Sequence, residues 1–195
     1  MEFLYPPGAT PLDPDEAAGL VPTHISTQGD LNAWEQMNIA QGEQWAGRQK
    51  KRVLLTEGFA RDLHRQMFDQ TWRWAGTFRS SNKNIGVDWS QVAVKLRELL
   101  DNTHYQIEHH VFEADEMAVR FHHQLVWIHA FPNGNGRHAR LMADLLVMRL
   151  GHSRLSWGGN AASMTSAGVL REQYLSALRD ADQGQLSTLI SFARS

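Results

Sequence analysis

Apolar residues recur every three to four positions along most of the chain, and the runs are bounded by recognisable start and stop signals. Beginning at Asp30, a favourable N-cap, DLNAWEQMNIAQGEQWAG sets Leu31, Trp34, Ile39 and Trp45 near one face and predicts a helix to about Gly47. A second run, from Thr56 to about Trp74, spaces Phe59, Leu63, Met67 and Phe68 the same way and meets Gly76 as a stop. From Ser90, the stripe Val92, Leu96, Leu99 and Leu100 continues to about Ile107. Asp115 then caps a segment in which Ala118, Phe121, Leu125 and Ile128 share a face until Pro132 ends it. After a turn, Leu141, Leu145 and Met148 carry a helix from about Gly136 to Gly151, and AGVLREQYLSALRDAD and QLSTLISFA complete the helical set.

Three stretches break the helical period. Residues 1–29 hold five of the six prolines and no sustained stripe, which predicts an extended N-terminal arm ahead of a single domain at 30–195. In TFRSSNKNIGVD, polar turn formers from Ser80 to Asn84 separate Thr77-Phe78 from Ile85-Gly86-Val87, the signature of a small hairpin over about 77–88. A glycine- and serine-rich loop covers 153–166. The expected fold is therefore an all-α bundle carrying one small β-hairpin.

The composition narrows the chemistry. Of 195 residues, 42% are hydrophobic and 21% charged, as in an ordinary soluble domain, and the formal charge of −2 gives no global reason to bind nucleic acid or an anionic membrane. The basic run Arg48 to Arg52 reads as a solvated face. There is no cysteine, so thiolate nucleophiles, disulfides and Cys-ligated zinc are excluded, in keeping with a reducing cytoplasm. An acidic residue stands where a signal peptide would be basic, and no apolar run reaches eighteen residues, so a soluble cytoplasmic protein is expected.

Candidate chemistry concentrates in IHAFPNGNGRHAR, residues 128–140. A helix beginning near Gly136 offers unpaired N–H groups and the positive end of its dipole to an anion. Gly134 and Gly136 remove Cβ atoms where main chain must approach a phosphate, and Asn135 tolerates the same backbone angles. Arg137 and Arg140, one turn apart, project from one face and suit a polyphosphate. His129 faces them across the turn as a base. A plain corner between helices, with exposed arginines, would use the same residues. The P-loop and dinucleotide fingerprints are absent, and His122, His123 and His129 lack the spacing of a helical zinc site.

These residues resemble the Fic family signature H-x-F-x-[D/E]-G-N-G-R-x-x-R, read here as His129, Phe131, Asn133, Gly134, Asn135, Gly136, Arg137 and Arg140. WAGTFRSSNKNIGVD is similar to the segment that leads into the family's flap, and the C-terminal helices are similar to its last region. The resemblance implies a Fic-type helical bundle and transfer of AMP from ATP to a Ser, Thr or Tyr hydroxyl of a target protein. It implies that His129 is the general base, Phe131 a core anchor of the loop, and Gly134, Asn135, Gly136, Arg137 and Arg140 the phosphate-binding set. Ile85, Gly86 and Val87 would dock the target by strand addition, and Trp157, Gly158 and Asn160 would border the nucleotide base.

Asn133 departs from the pattern. The family carries an acid there that ligates Mg²⁺, and a neutral amide oxygen should hold a divalent cation more weakly. The resemblance also implies restraint, by a partner or by the chain itself, through a glutamate that pairs with the second motif arginine. No segment matches the family's inhibitory pattern fully; Glu35 is the candidate and Glu57-Gly58 a weaker one. Other uses of the same cradle are a different nucleotide, a phosphocholine donor, transfer of a terminal phosphate or removal of AMP. A nucleotide- or partner-binding protein without strong catalysis is the reading from another class.

Overall fold

The computed structural model describes residues 10–159 and 168–195. Among the described residues eight α-helices follow one another: α1 (Pro14–Ala17), α2 (Gln28–Arg48), α3 (Glu57–Phe68), α4 (Val92–Glu108), α5 (Ala114–Ile128), α6 (Asn135–Arg149), α7 (Val169–Asp182) and α8 (Leu186–Arg194). The all-α expectation holds. Neighbours pack in pairs, α2 on α3, α5 on α6 and α7 on α8, with α4 and α8 both against α5.

The α5–α6 pair stands between two apolar clusters. Phe59, Leu63, Met67, Leu96, Phe121 and Met142 fill the first; Ala118, Val147, Trp157, Tyr174 and Leu189 fill the second. Eleven of the fifteen residues of α6 are buried, which makes it the central helix of the bundle rather than a surface helix with one apolar stripe. A small third cluster of Val92, Ile128, Ala130 and Phe131 lies at the junction of α5 with the turn.

Several boundaries move, each for a local reason. Helix α2 starts at Gln28 because Thr27 caps it and Asp30 closes a capping box from the third position, so Asp30 supports the cap instead of being it. Helix α3 stops at Phe68, short of Trp74. The Asn38 side chain accepts from Gln70 N at 3.0 Å and from Thr71 Oγ1 at 3.2 Å, while Arg73 N donates to Gly19 O and Val21 N to Thr71 O, both at 2.9 Å. Those partners draw 70–73 out of the helical ladder and into an isolated antiparallel bridge between Leu20 and Trp72. Glu113 is the N-cap of α5; Asp115, in the first turn, instead pairs with Arg194, accepting from its Nε at 2.7 Å.

The hairpin over 77–88 does not form as paired strands. The backbone carbonyls of Ser81 and Val87 are taken by the guanidinium of Arg79, Nη1 to Ser81 O at 2.8 Å and Nη2 to Val87 O. A side chain thus does the work that cross-strand pairing would do.

Residues 10–27 ahead of α2 form a strap over the bundle. Asp13 and Glu16 cap the short α1, and both carboxylates reach the Lys83 ammonium, at 2.8 and 2.5 Å. Ser81 Oγ donates to Asp13 at 2.6 Å, and Trp74 Nε1 donates to the Glu16 carbonyl at 2.9 Å. Lys83 and Ser81 hold the Asp13 carboxyl below the usual carboxylate value. The strap is fastened onto the loop 77–88.

Candidate active site

Helix α5 ends at Ile128, and the next residue, His129, is its C-cap in the left-handed region at φ 55° and ψ 59°. A non-glycine residue pays for that conformation, so its surroundings must hold it there. Arg79 does so from one side: Nε donates to His129 O at 2.6 Å and Arg79 N to Ala130 O at 3.0 Å. Asn135 does so from the other. Its Oδ1 accepts from Phe131 N at 2.9 Å and its Nδ2 donates to Phe131 O at 2.7 Å, closing the turn on itself.

Phe131 is buried as expected of an anchor. Its ring stacks on His64 at 3.7 Å between centroids. Gly76 N donates to His64 Nδ1 at 3.0 Å, so the ring proton is on Nε2, which donates to Asn133 O at 3.0 Å. Burial keeps His64 neutral by pushing its pKa well below the ordinary value. His138 is held the same way, with Nε2 on the Ala60 carbonyl at 2.9 Å and a pKa lowered to about 4 by burial.

His129 is 6% exposed. Burial first, then the Arg79 charge, lowers its pKa from 6.5 to about 4, against the pull of the Val126 carbonyl. The ring is therefore neutral at pH 7. Nδ1 meets no partner in hydrogen-bond geometry, and Nε2 faces the hydroxyl of Thr10 at 3.0 Å. Gly86 backs directly onto this residue. At φ +100° a side chain there would be strained, and a Cβ would come within 2.6 Å of His129 Cβ.

Helix α6 begins at Asn135, with Gly134 as N-cap at φ 79°. A Cβ on Gly134 would lie 2.6 Å from the Phe68 ring, so packing against α3 demands this glycine before any ligand does. Gly136 faces Arg140 and Tyr174 at ordinary contact distance and is the open one of the pair. The Asn135 carboxamide is committed to Phe131. This side chain is a clamp on the turn, so the residue's expected place in the phosphate-binding set narrows to its main-chain N–H.

Both arginines carry partners. Arg137 Nη1 meets Glu35 Oε2 at 2.6 Å, Nη2 donates to Asn133 Oδ1 at 3.2 Å, and the guanidinium lies over Phe68. Glu35, on α2, also accepts from Trp72 Nε1 at 2.7 Å. The candidate glutamate thus reaches the motif, but it pairs with the first arginine where the resemblance implied the second. Arg140 is buried over the Tyr174 ring at 5.2 Å, and Tyr174 OH sits 3.0 Å from His122 Nε2. Glu57 pairs with Arg61 and Arg97 and touches neither motif arginine.

Asn133 Oδ1 already accepts from Gly134 N at 2.6 Å and from Arg137, and Nδ2 donates to Thr10 O at 3.3 Å. A hard cation needs free, preferably charged, oxygen donors. This amide oxygen is neutral and engaged, beside a guanidinium, and no group of three His, Cys, Asp or Glu side chains gathers among the described residues. The residues do not fit a protein-held divalent ion at position 133.

The base-bordering assignment also changes. Trp157 is 1% exposed, its Nε1 donates to Asp144 Oδ1 at 2.8 Å, and its ring packs on His122, so it is a core residue between α5, α6 and α8. Gly158 presses on α7 and α8, where a Cβ would lie 2.2 Å from Leu170 and 3.3 Å from Phe192. Asn160 lies outside the described residues. Ile85 is exposed at the edge of the loop, and Val87 is half-buried with its carbonyl on Arg79. Sequence reasoning missed Thr10, His64, Arg79, Lys83 and Tyr174.

Residues 54–147 match the Fic/DOC family, which bears out the resemblance carried by the motif. Among solved structures, Fic-1 (residues 134–508, E274G) from C. elegans is 23% identical with a TM-score of 0.65, over 91% of this chain and 51% of that one. This chain spans about half of that protein's length. The N-terminal Fic domain of a VirB-translocated Bep effector from Bartonella quintana, with bound ADP, is 15% identical with a TM-score of 0.69, covering 88% and 86% of the two chains. BepC from Bartonella tribocorum, with bound AMPPNP, is 14% identical with a TM-score of 0.67 and covers 87% of each chain. At these identities the likeness establishes the fold. Among the described residues, no helix is long and apolar enough to cross a membrane.

Proposed function

We propose, for a chain whose residues 54–147 are a Fic/DOC match, that it is a protein adenylyltransferase moving AMP from ATP to a Ser, Thr or Tyr hydroxyl of a target protein. The observation that carries this reading is a neutral imidazole with Nε2 against a hydroxyl, set across a turn from the N-terminus of a central helix and two arginines. ADP and AMPPNP in two Fic structures of the same fold support an adenine nucleotide as donor.

His129 Nε2 would take the proton of the attacking hydroxyl, whose oxygen forms a bond to the α-phosphorus as pyrophosphate leaves. The free amides of the first turn of α6, with Arg137 and Arg140, would hold the phosphates and take up the charge that develops on the leaving group. Charge neutralisation rests on these groups because position 133 offers no anionic ligand. The exposed edge around Ile85, Gly86 and Val87 would receive the target segment, and Arg79 would keep that edge against His129. Burial under the strap weakens the base; a ring freed of that cover would regain basicity.

The test is incubation of the chain with a hydroxyl-bearing acceptor and ATP labelled at either the α- or the γ-phosphate, beside His129→Ala. Protein-bound α-label that disappears in the variant supports the reading. Protein-bound γ-label, or α-label indifferent to His129, overturns it.

A further inference from the structure

The hydroxyl that faces His129 belongs to the chain itself. Thr10 Oγ1 lies 3.0 Å from Nε2, and the same residue's carbonyl accepts from Asn133 Nδ2 at 3.3 Å, so Thr10 is tied both to the base and to the turn that opens α6. It is buried, at 6% exposure. Among the described residues it is the one hydroxyl bonded to the His129 ring.

The strap does not reach this place by chance contact. Lys83, its side chain 2% exposed, binds Asp13 and Glu16 together, Ser81 binds Asp13, and the bridge of Leu20 with Trp72 fixes the strap's far end. A buried cation with two carboxylate partners is costly to desolvate and then costly to break, so it sets a register. Three residues before Asp13, that register delivers a threonine to the base.

We propose that Thr10 is an acceptor in its own right: a modification site that takes an AMP group in cis from ATP. This rests on the adenylyl-transfer reading above. The Thr10 O–H proton passes to His129 Nε2, a bond forms between Thr10 Oγ1 and the α-phosphorus, and the bond from that phosphorus to the β-phosphate bridging oxygen breaks. The products are a Thr10 phosphodiester of AMP and pyrophosphate, and His129 returns its proton to water. Thr10 is 6% exposed against His129, so a threonine enlarged by AMP should no longer fit its seat. The modified strap must leave, and the base then faces solvent, where an external hydroxyl can approach. The same residue would be the first acceptor and the stopper of the site.

The full chain, incubated with ATP labelled at the α-phosphate, should carry label on the peptide that contains Thr10. The fraction labelled per unit time should stay constant when the protein is diluted, since the acceptor is intramolecular. Thr10→Val, which keeps shape and removes the hydroxyl, should lose that label to the level of His129→Ala, and Thr10→Ser should keep it. Melting curves of the variants establish that each is folded. His129-dependent label on other residues or on an added acceptor, with none on Thr10, overturns this site and leaves adenylyl transfer standing. A labelling rate that rises with protein concentration overturns the intramolecular route. Absence of both label and pyrophosphate release, in wild type and Thr10→Val alike, overturns adenylyl transfer and this site with it.

Discussion

Behind His129, the turn from Ala130 to Gly134 is closed by the Asn135 carboxamide on Phe131 and by the rings of His64, stacked on Phe131, and His138, edge-on to it; in front, the strap and the loop 77–88 hang on two buried cations, Arg79 and Lys83. The rear wall joins local bonds within the motif to ring packing of Phe131 on His64 and His138, whose own bonds reach Asn133 and Ala60 between the regular helices α3 and α6 and the turn. The front wall is made of side chains that span 50 residues or more, Arg79 to His129 and Lys83 to Asp13, with polar atoms at each end. Local bonds cost little chain entropy to form, whereas the long-range ones order two irregular segments at once. In the adenylyltransferase reading proposed above, the rear wall is a preformed cradle for phosphate and the front wall a cover that can be removed.

The sharpest way to break this contrast is Arg79→Met. The substitution keeps bulk but strands the carbonyls of His129, Ser81 and Val87. Each buried acceptor left unmatched costs about 1–3 kcal/mol. Urea unfolding should show a loss of about 3–5 kcal/mol together with loss of transfer activity. A loss below about 1 kcal/mol would show that the loop is not held through this residue.

A second effect separates the walls by pH. His129 and His138 are both lowered to about 4, so the unfolded chain binds more protons than the folded one between pH 6.5 and 4. Stability is therefore full above 6.5 and falls as the pH drops through this window, by roughly 3 kcal/mol per ring. In an NMR titration, loosening the strap with Lys83→Met should raise the His129 midpoint toward 6.5, since water returns and a nearby positive charge goes, while His138 stays near 4. Two midpoints that move together, or not at all, would erase the distinction between cover and cradle.

The smallest effect concerns Glu35. In Glu35→Gln the amide still accepts from Trp72, but the charge on Arg137 is released toward a phosphate. Calorimetry should find ADP bound about fivefold more tightly, near 1 kcal/mol. Unchanged affinity would mean that the ion pair does not compete with the nucleotide.

The same division governs what could be read in advance. Most of the rear wall was legible because His129, Phe131, the glycines and the arginines form one motif within twelve residues, and the helices on either side announce themselves by period; His64, 69 positions from Asn133, was not. Even there, Asn135 read as a ligand because its clamp on Phe131 depends on how tightly the turn closes. The front wall was not legible. TFRSSNK has the polarity of a solvent-facing turn, and nothing in its pattern marks Arg79 or Lys83 for burial. Thr10 sits in a proline-rich stretch without a stripe, so its place against His129 follows from contacts made 119 positions later. Trp157 and Gly158 read as a binding loop, yet α7 and α8 bury them.

The central claim is that nucleotide phosphates sit on the first turn of α6. The amides of Asn135, Gly136 and Arg137 have no intrahelical acceptor and should exchange readily with solvent deuterium in the free chain. Hydrogen–deuterium exchange with and without ADP reads them directly. Added ADP should slow exchange in residues 133–140 by roughly tenfold. Protection confined to other segments, or none where calorimetry records binding, would contradict the account.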